Sequence, residues 1–261
     1  MPKIVKKKGE TDFIKFLGTA GARFVMIKQL RASGGLWVSV GGTNVLIDPG
    51  PGSIVRCSAS RPKLDPSQLD GIILTHRHLD HAGDINVMIE AMTEGGFKKK
   101  GTLFCPQDAV AEDSAIFKYA IGFPEKVEVL KPLDNYRVGN FEFRTSMQHI
   151  HSVQTYGLKF SIKNTVVSIL CDTRYFPELK DFYQSDILII GVVFYEPRPG
   201  IDHLSLADAE TLIGQIKPKK AILTHFGMTM LKAKPHIQAG IVSRKLGIEV
   251  EAAYDGMTLE F

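Results

Sequence analysis

Four side chains able to bind a metal fall within six residues of this 261-residue chain, in the run Thr75-His76-Arg77-His78-Leu79-Asp80-His81. His76, His78, Asp80 and His81 supply imidazole and carboxylate, the donors that zinc, manganese and iron accept. A lone His-x-His is common in surface loops and capped turns. Four donors in one loop are a different matter, because crowding titratable groups is unfavourable unless a cation offsets the cost. Arg77, inside the run, is given no role.

Something rigid must hold such a loop, and the residues before it provide it. Gly71 to Leu74 reads as a short buried strand running into His76. Upstream, Phe13 to Leu17, Gly35 to Val40 and Thr43 to Ile47 have strand character, the last two joined by the Gly41-Gly42 turn signal. A helix is expected from Asp84 to Met92, stopped by Gly95-Gly96. The second half repeats the style, with strands expected over Phe141 to His151, Gly157 to Ile162, Thr165 to Leu170 and Ile187 to Phe194. Ser205 and Asp208 form a capping-box signature. Behind it Leu206, Ala209, Leu212, Ile213 and Ile216 recur at helical spacing, and Ala221 to Leu223 is a strand delivering Thr224-His225. Two sheets packed face to face with helices outside would bury both halves, a four-layer α/β arrangement.

The loop H-x-H-x-D-H resembles the signature of the metallo-β-lactamase superfamily, and four further motifs of that family are present in the family's order, one before the loop and three after it. Asp48, in Leu46-Ile47-Asp48-Pro49-Gly50, matches the acid that ends an early strand. His151, in His151-Ser152 followed by Tyr156-Gly157, matches the third-motif histidine. Asp172, in Leu170-Cys171-Asp172-Thr173, matches the bridging carboxylate, and His225, in Leu223-Thr224-His225-Phe226, the last ligand. The resemblance implies an αββα sandwich spanning residues 1–261 as one domain. It also implies two divalent transition-metal ions, with zinc first and manganese or iron as alternatives. One ion would take His76, His78 and His151 and the other Asp80, His81 and His225. Asp172 and a solvent-derived hydroxide would bridge them. Two close cations lower the pKa of a shared water and polarise substrate oxygens. Asp48 would orient a ligand without binding metal. Asp80 counts among the catalytic candidates as well as the ligands. His149 rivals His151, since a strand puts both on one face, but the His-Ser-x-x-x-Tyr-Gly context favours His151. Cys171 is expected in the core and His236 on the surface.

The same superfamily covers β-lactamases, lactonases, thioester hydrolases, nucleases and phosphodiesterases, so the fold alone names no substrate. Asp172 stands where the common zinc β-lactamases carry cysteine, which argues against β-lactam hydrolysis. The opening Phe16-Leu17-Gly18-Thr19-Ala20-Gly21, with Arg31-Ala32-Ser33, resembles tRNA 3′-end-processing endonucleases and related phosphodiesterases. Asp202-His203-Leu204-Ser205 looks like a histidine motif of the same enzymes, making His203 a candidate catalytic proton donor. No insertion resembles the arm with which those enzymes grip tRNA. The third motif is close to that of the cyclic phosphodiesterase of phosphonate breakdown, whose cysteine zinc site has no counterpart in spacing here. A phosphodiesterase for a small or single-stranded phosphodiester is the reading. A lactonase-type ester hydrolase, with Tyr195 or Tyr156 polarising the carbonyl, and a non-hydrolytic metal-binding member are the alternatives. Arg198 is equally a contact for an anionic substrate and a solvated loop residue.

Composition sets outer bounds. Apolar residues make up 44% and charged residues 23%, the balance of a globular protein with a sizeable core. The net charge of +4 sits partly in Lys6-Lys7-Lys8, Lys98-Lys99-Lys100 and Lys217-Pro218-Lys219-Lys220. Such clusters attract phosphate but are more often solvated turns, so charge alone gives nucleic-acid binding little weight. Cys57, Cys105 and Cys171 are odd in number and widely spaced, against a disulfide framework and in favour of a reducing cytoplasm. No signal peptide and no apolar run long enough to cross a bilayer is visible, so no membrane partner is expected. A homodimer is left open.

Overall fold

The chain's first described element is β1 (Phe13–Phe16) in a computed structural model that describes residues 11–111 and 113–261. The Lys6-Lys7-Lys8 cluster lies outside those residues. Next come α1 (Ala22–Ile27) and the hairpin of β2 (Leu36–Val40) and β3 (Thr43–Ile47). Gly41 and Gly42 turn it at φ 54° and 81°, the left-handed pair that a two-residue hairpin loop requires. The half continues through α2 (Ser53–Ala59), β4 (Gly71–Ile73), α3 (Leu79–Ala82), α4 (Ile85–Met92), β5 (Thr102–Cys105) and β6 (Lys126–Val129). The second half runs β7 (Asn135–Val138), β8 (Phe141–Gln148), β9 (Tyr156–Ile162), β10 (Thr165–Leu170), α5 (Leu179–Phe182) and β11 (Ile187–Gly191). It closes with α6 (Leu206–Ile216), β12 (Lys220–Thr224), α7 (Met228–Lys232), α8 (Pro235–Leu246), β13 (Glu249–Ala252) and β14 (Thr258–Glu260).

These strands form two seven-stranded sheets, in the orders β14-β1-β2-β3-β4-β5-β6 and β13-β12-β11-β10-β9-β8-β7. Each is antiparallel at one side and parallel at the other. The first runs parallel from β3 to β6 and the second from β10 to β13. β14 returns from the C-terminal end to pair with β1.

Side-chain alternation builds the layers. On β11, Ile189 joins the core between the sheets, with Ile14, Val38, Phe104, Phe143, Leu158 and Ile222. Leu188 and Ile190 point the other way, to Leu212, Ile213, Ala239 and Val242 of α6 and α8. On the first sheet, Trp37, Leu46 and Ile72 face Met88, Ile89 and Met92 of α4. Strands covered on both faces read as unbroken apolar runs, which is why β11 is so apolar. Each large side chain buried this way contributes about 1.5–3 kcal/mol. The result is the expected αββα sandwich.

Some boundaries move. β8 stops at Gln148, short of the expected His151, and β11 stops at Gly191, short of Phe194. Both lose their ladder where the chain turns into the loops described below. The capping box at Ser205 and Asp208 forms as expected, and the apolar face of α6 is buried. Lys98 to Lys100 precede β5, and Lys219 and Lys220 lie at the start of β12. Both clusters therefore stand at the strand ends remote from His76 and His225. Lys219 pairs with Asp186 and Lys220 with Glu249 and Glu251. Among the described residues, no helix is long and apolar enough to cross a membrane.

Candidate metal centre

Strand direction gathers the site. β3 and β4 are parallel neighbours, as are β10, β11 and β12, and β8 runs in the direction of β10 because two antiparallel pairings separate them. Asp48, His76, His151, Asp172, His203 and His225 all follow the carboxyl ends of these strands. Open α/β sheets bind their ligands at such ends.

Two donor groups result. His76, His78, His151 and Asp172 form one, and Asp80, His81, Asp172 and His225 the other, with the ligand atoms of each within 4.8 Å of one another. Asp172 belongs to both. Its Oδ2 lies 3.5 Å from His76 Nε2, 3.6 Å from His81 Nε2 and 3.9 Å from His151 Nε2. Its Oδ1 is 3.2 Å from His225 Nδ1. Asp80 Oδ2 stands 3.4 Å from His225 Nε2 and 3.7 Å from His81 Nε2.

Surrounding bonds orient the rings. Asp48 accepts from the Thr75 N–H at 2.7 Å and the Thr75 hydroxyl at 2.7 Å, and its Oδ2 lies 2.9 Å from His81 Nδ1. These three contacts fix the carboxylate and turn His81 Nε2 inward. His151 Nδ1 donates to the Asp202 carbonyl at 3.0 Å, leaving Nε2 for the centre. Partners of this kind fix tautomer and ring orientation at metal sites. His149 is different. It is buried, its Nδ1 donates to the Asp172 carbonyl at 3.0 Å, and its Nε2 accepts from the Tyr183 hydroxyl at 2.6 Å. Both of its ring nitrogens are occupied by protein.

The atoms left over test whether a metal suits the site. Among the described residues, His76 Nε2, Asp172 Oδ2, His203 Nδ1 and His225 Nδ1 are buried without a hydrogen-bond partner. His81 Nε2 and His225 Nε2 face each other at 2.9 Å, and His151 Nε2 and His78 Nδ1 at 3.0 Å. Buried polar atoms are rarely left so, and converging lone pairs are what a divalent cation satisfies. Burial, then the neighbouring His81 charge, pushes His76 down to about 3. Burial likewise lowers His78 and His151. Neutral imidazole is the ligating form. Burial opposes a charge on His81, but Asp80 and Asp48 hold its pKa well above the ordinary value. Burial also disfavours the Asp172 charge, yet His225 and His203 keep that carboxyl well below its usual range.

His203 Nδ1 is 3.6 Å from Asp172 Oδ2, and its ring lies beside those of His151 and His225. The Asp202 carboxylate is near Arg174 at 3.8 Å. Arg77 pairs with Asp108 and Asp113. Cys171 is buried and contacts the Tyr156 carbonyl. His236 is exposed. Tyr156 is buried, Tyr195 is exposed, and Arg198 lies over the Phe194 ring. Two positions of the site carry left-handed backbone, Asp48 at φ 53° and His225 at φ 56°, which for residues other than glycine stores strain at functional sites. Thr75, Tyr183 and Gly21 are contributors that sequence reasoning missed. A Cβ on Gly21 would lie 2.1 Å from the His225 carbonyl oxygen, and no local pattern signals that approach.

Known proteins share this architecture. Uncharacterized protein MJ1374 of Methanocaldococcus jannaschii is 31% identical over 257 residues, covering 95% of this chain and 94% of its own. Ribonuclease Z of Thermoplasma acidophilum is 29% identical over 153 residues, 58% of this chain and 47% of its own. The crystal structure of the metallo-β-lactamase fold protein YhfI from Bacillus subtilis superposes with a TM-score of 0.76 at 20% identity, over 97% of this chain and 100% of that one. A diphosphatase from the PhnP family superposes at 0.71 and 21% identity, over 97% and 98%. The family model described as beta-lactamase superfamily domain matches residues 43–226, so this chain belongs to the β-lactamase superfamily.

Proposed function

We propose that the chain, folded as one domain, is a metal-dependent phosphodiesterase acting on a small or single-stranded phosphodiester in the cytoplasm. One observation carries the reading: the Asp172 carboxylate stands between two complete donor groups. His76, His78 and His151 would hold one divalent ion and Asp80, His81 and His225 the other, with Asp172 shared. Bound there, two cations supply a water acidified towards neutrality and a clamp for the charged oxygens of a phosphodiester. Asp48 keeps His81 turned to the centre, and Asp80 would be among the residues that hold the second ion. His203, with Nδ1 facing the site, donates a proton to the departing oxygen. The sequence similarity to a ribonuclease Z supports a phosphorus-centred substrate. The carboxylate, rather than a thiolate, at position 172 argues against β-lactam hydrolysis.

The test is one substrate panel run with zinc, manganese and iron: bis(4-nitrophenyl) phosphate, 2′,3′-cyclic nucleotides, short RNA and acyl lactones. Phosphodiesters should turn over at least tenfold faster than lactones under equal metal loading. A strong lactone preference overturns the phosphodiesterase reading and leaves the metal centre standing.

A further inference from the structure

An open cavity of about 430 Å³ lies over the candidate centre. His78, Asp80, Asp172 and His203 form one side of it, and Ala22, Arg23, Met26, Ile27 and Leu79 the other. That second side is chemically plain. Apart from Arg23 it offers no donor, no acceptor and no aromatic ring. Ile27 is 66% exposed and Leu79 67% exposed, although Leu79 sits between the ligand candidates His78 and Asp80. Exposed apolar side chains grouped at a cleft mark a binding surface.

The wall is also deliberately placed. α1 starts at Ala22 with φ 57° and is followed by Gln29 at φ 49°, two left-handed non-glycine residues of the kind that persist only where the surroundings impose them. The N–H of Gly21 bonds the Phe226 carbonyl at 3.0 Å, and the Phe226 N–H bonds the Thr19 carbonyl at 2.9 Å. The wall is thereby tied to the His225 loop. A nucleoside laid on it would find only the Arg23 guanidinium to read its base edges and no ring among the side chains of this wall, the rings of the cavity being those of His78 and His203 on the side of the centre. A hydrocarbon arm would cover Met26, Ile27 and Leu79, and Arg23 would meet the adjoining negative charge.

We infer that the substrate is an amphiphilic phosphodiester, with its anionic phosphorus group at the centre and one apolar, hydroxyl-poor ester arm lying against α1 and Leu79. This deepens the phosphodiesterase reading and rests on it for the identity of the head group.

Two series on metal-loaded protein test it. Linear alkyl 4-nitrophenyl phosphates, methyl to hexyl, hold the leaving group constant in turnover. Methyl alkylphosphonates of the same lengths, and the methylphosphonate ester of thymidine, report binding by calorimetry. Burying a methylene on such a wall should tighten KM and Kd about twofold to fourfold. Ile27→Ser and Leu79→Ser, both at exposed positions, should each cut the methyl-to-hexyl gain at least fivefold. Phe97→Ser, remote and 94% exposed, should leave it unchanged. Arg23→Gln should weaken every member by a similar factor without changing the chain-length slope. Turnover with a flat chain-length dependence, or a thymidine ester binding as tightly as the hexyl one, overturns the inference. Chain-length-dependent binding lost in both serine variants, without turnover of any phosphodiester, upholds the apolar wall and overturns the phosphodiesterase reading instead.

Discussion

His149 and His151 stand two residues apart after β8, and the structure gives them different surroundings. Replacing His149 by alanine strands the Tyr183 hydroxyl, fully buried, and the Asp172 carbonyl. Each buried group left without its partner costs about 1–3 kcal/mol, so the loss is roughly 4 kcal/mol. At 2–4 °C per kcal/mol for a domain of this size, Tm should fall by roughly 8–16 °C. His151→Ala removes a buried ring whose Nδ1 donates to the Asp202 carbonyl and whose Nε2 faces His78 Nδ1 at 3.0 Å; with one hydrogen bond to the backbone lost, it should cost about 1 kcal/mol in the metal-free protein. The metal ledger runs the other way. Thermal unfolding of chelator-treated protein, paired with elemental analysis after reloading, separates the two effects. His149→Ala should melt early and still bind about two ions per chain when folded. His151→Ala should melt near wild type and lose one. If His149→Ala strips a metal while the metal-free melting point stays put, the assignment of the third-motif ligand is wrong.

Asp172→Ala should weaken both ions together, because one carboxylate serves both groups. Titration showing one site intact would refute the sharing. Asp48→Asn keeps the shape but loses an acceptor among three donor contacts, and should lower metal affinity about 10–100-fold, measured by competition with a chromogenic chelator. No change would mean that Asp48 does not orient His81. His203→Ala should lower kcat severely for an alkyl or nucleoside leaving group and mildly for nitrophenolate, with metal content preserved, since a basic alkoxide gains most from protonation. Equal losses on both would point to a positioning role.

The sandwich was legible because its strands announce themselves. Thr43 to Ile47, Thr165 to Leu170 and the Ile187 run are apolar on both faces, and the Ser205 to Asp208 box marks the start of α6 without tertiary help. β5, β6 and β7 were not read, since Thr102 to Cys105 and Lys126 to Val129 are four residues each and take their strand character from neighbours in the sheet. β14 is harder still: three residues whose partner, β1, lies at the other end of the chain. The ligand candidates were legible for a simple reason. A cation demands particular donor types, so histidine and aspartate after strand ends stand out in a way that packing residues do not.

What surrounds the donors was hidden by the same logic. Tyr183 and Thr75 carry no spacing signal, and their bonds to His149 and Asp48 exist only once the strands are assembled. The wall over the site shows the limit most clearly. α1 is six residues long, has no side-chain cap and no acidic residue in its first turn, so local propensity has no reason to form it. Tertiary bonds hold its base. The Asp255 carboxylate accepts from the Thr19 N–H at 3.0 Å, the Thr19 hydroxyl at 2.7 Å and the Ala32 N–H at 2.8 Å. One acid near the C-terminal end therefore closes the loop that carries Arg23, Met26 and Ile27. A chain-local reading sees there only a short apolar stretch between glycines. The chemistry of the centre is written in residue types, while the surface that selects what reaches it is written in contacts between distant parts of the chain.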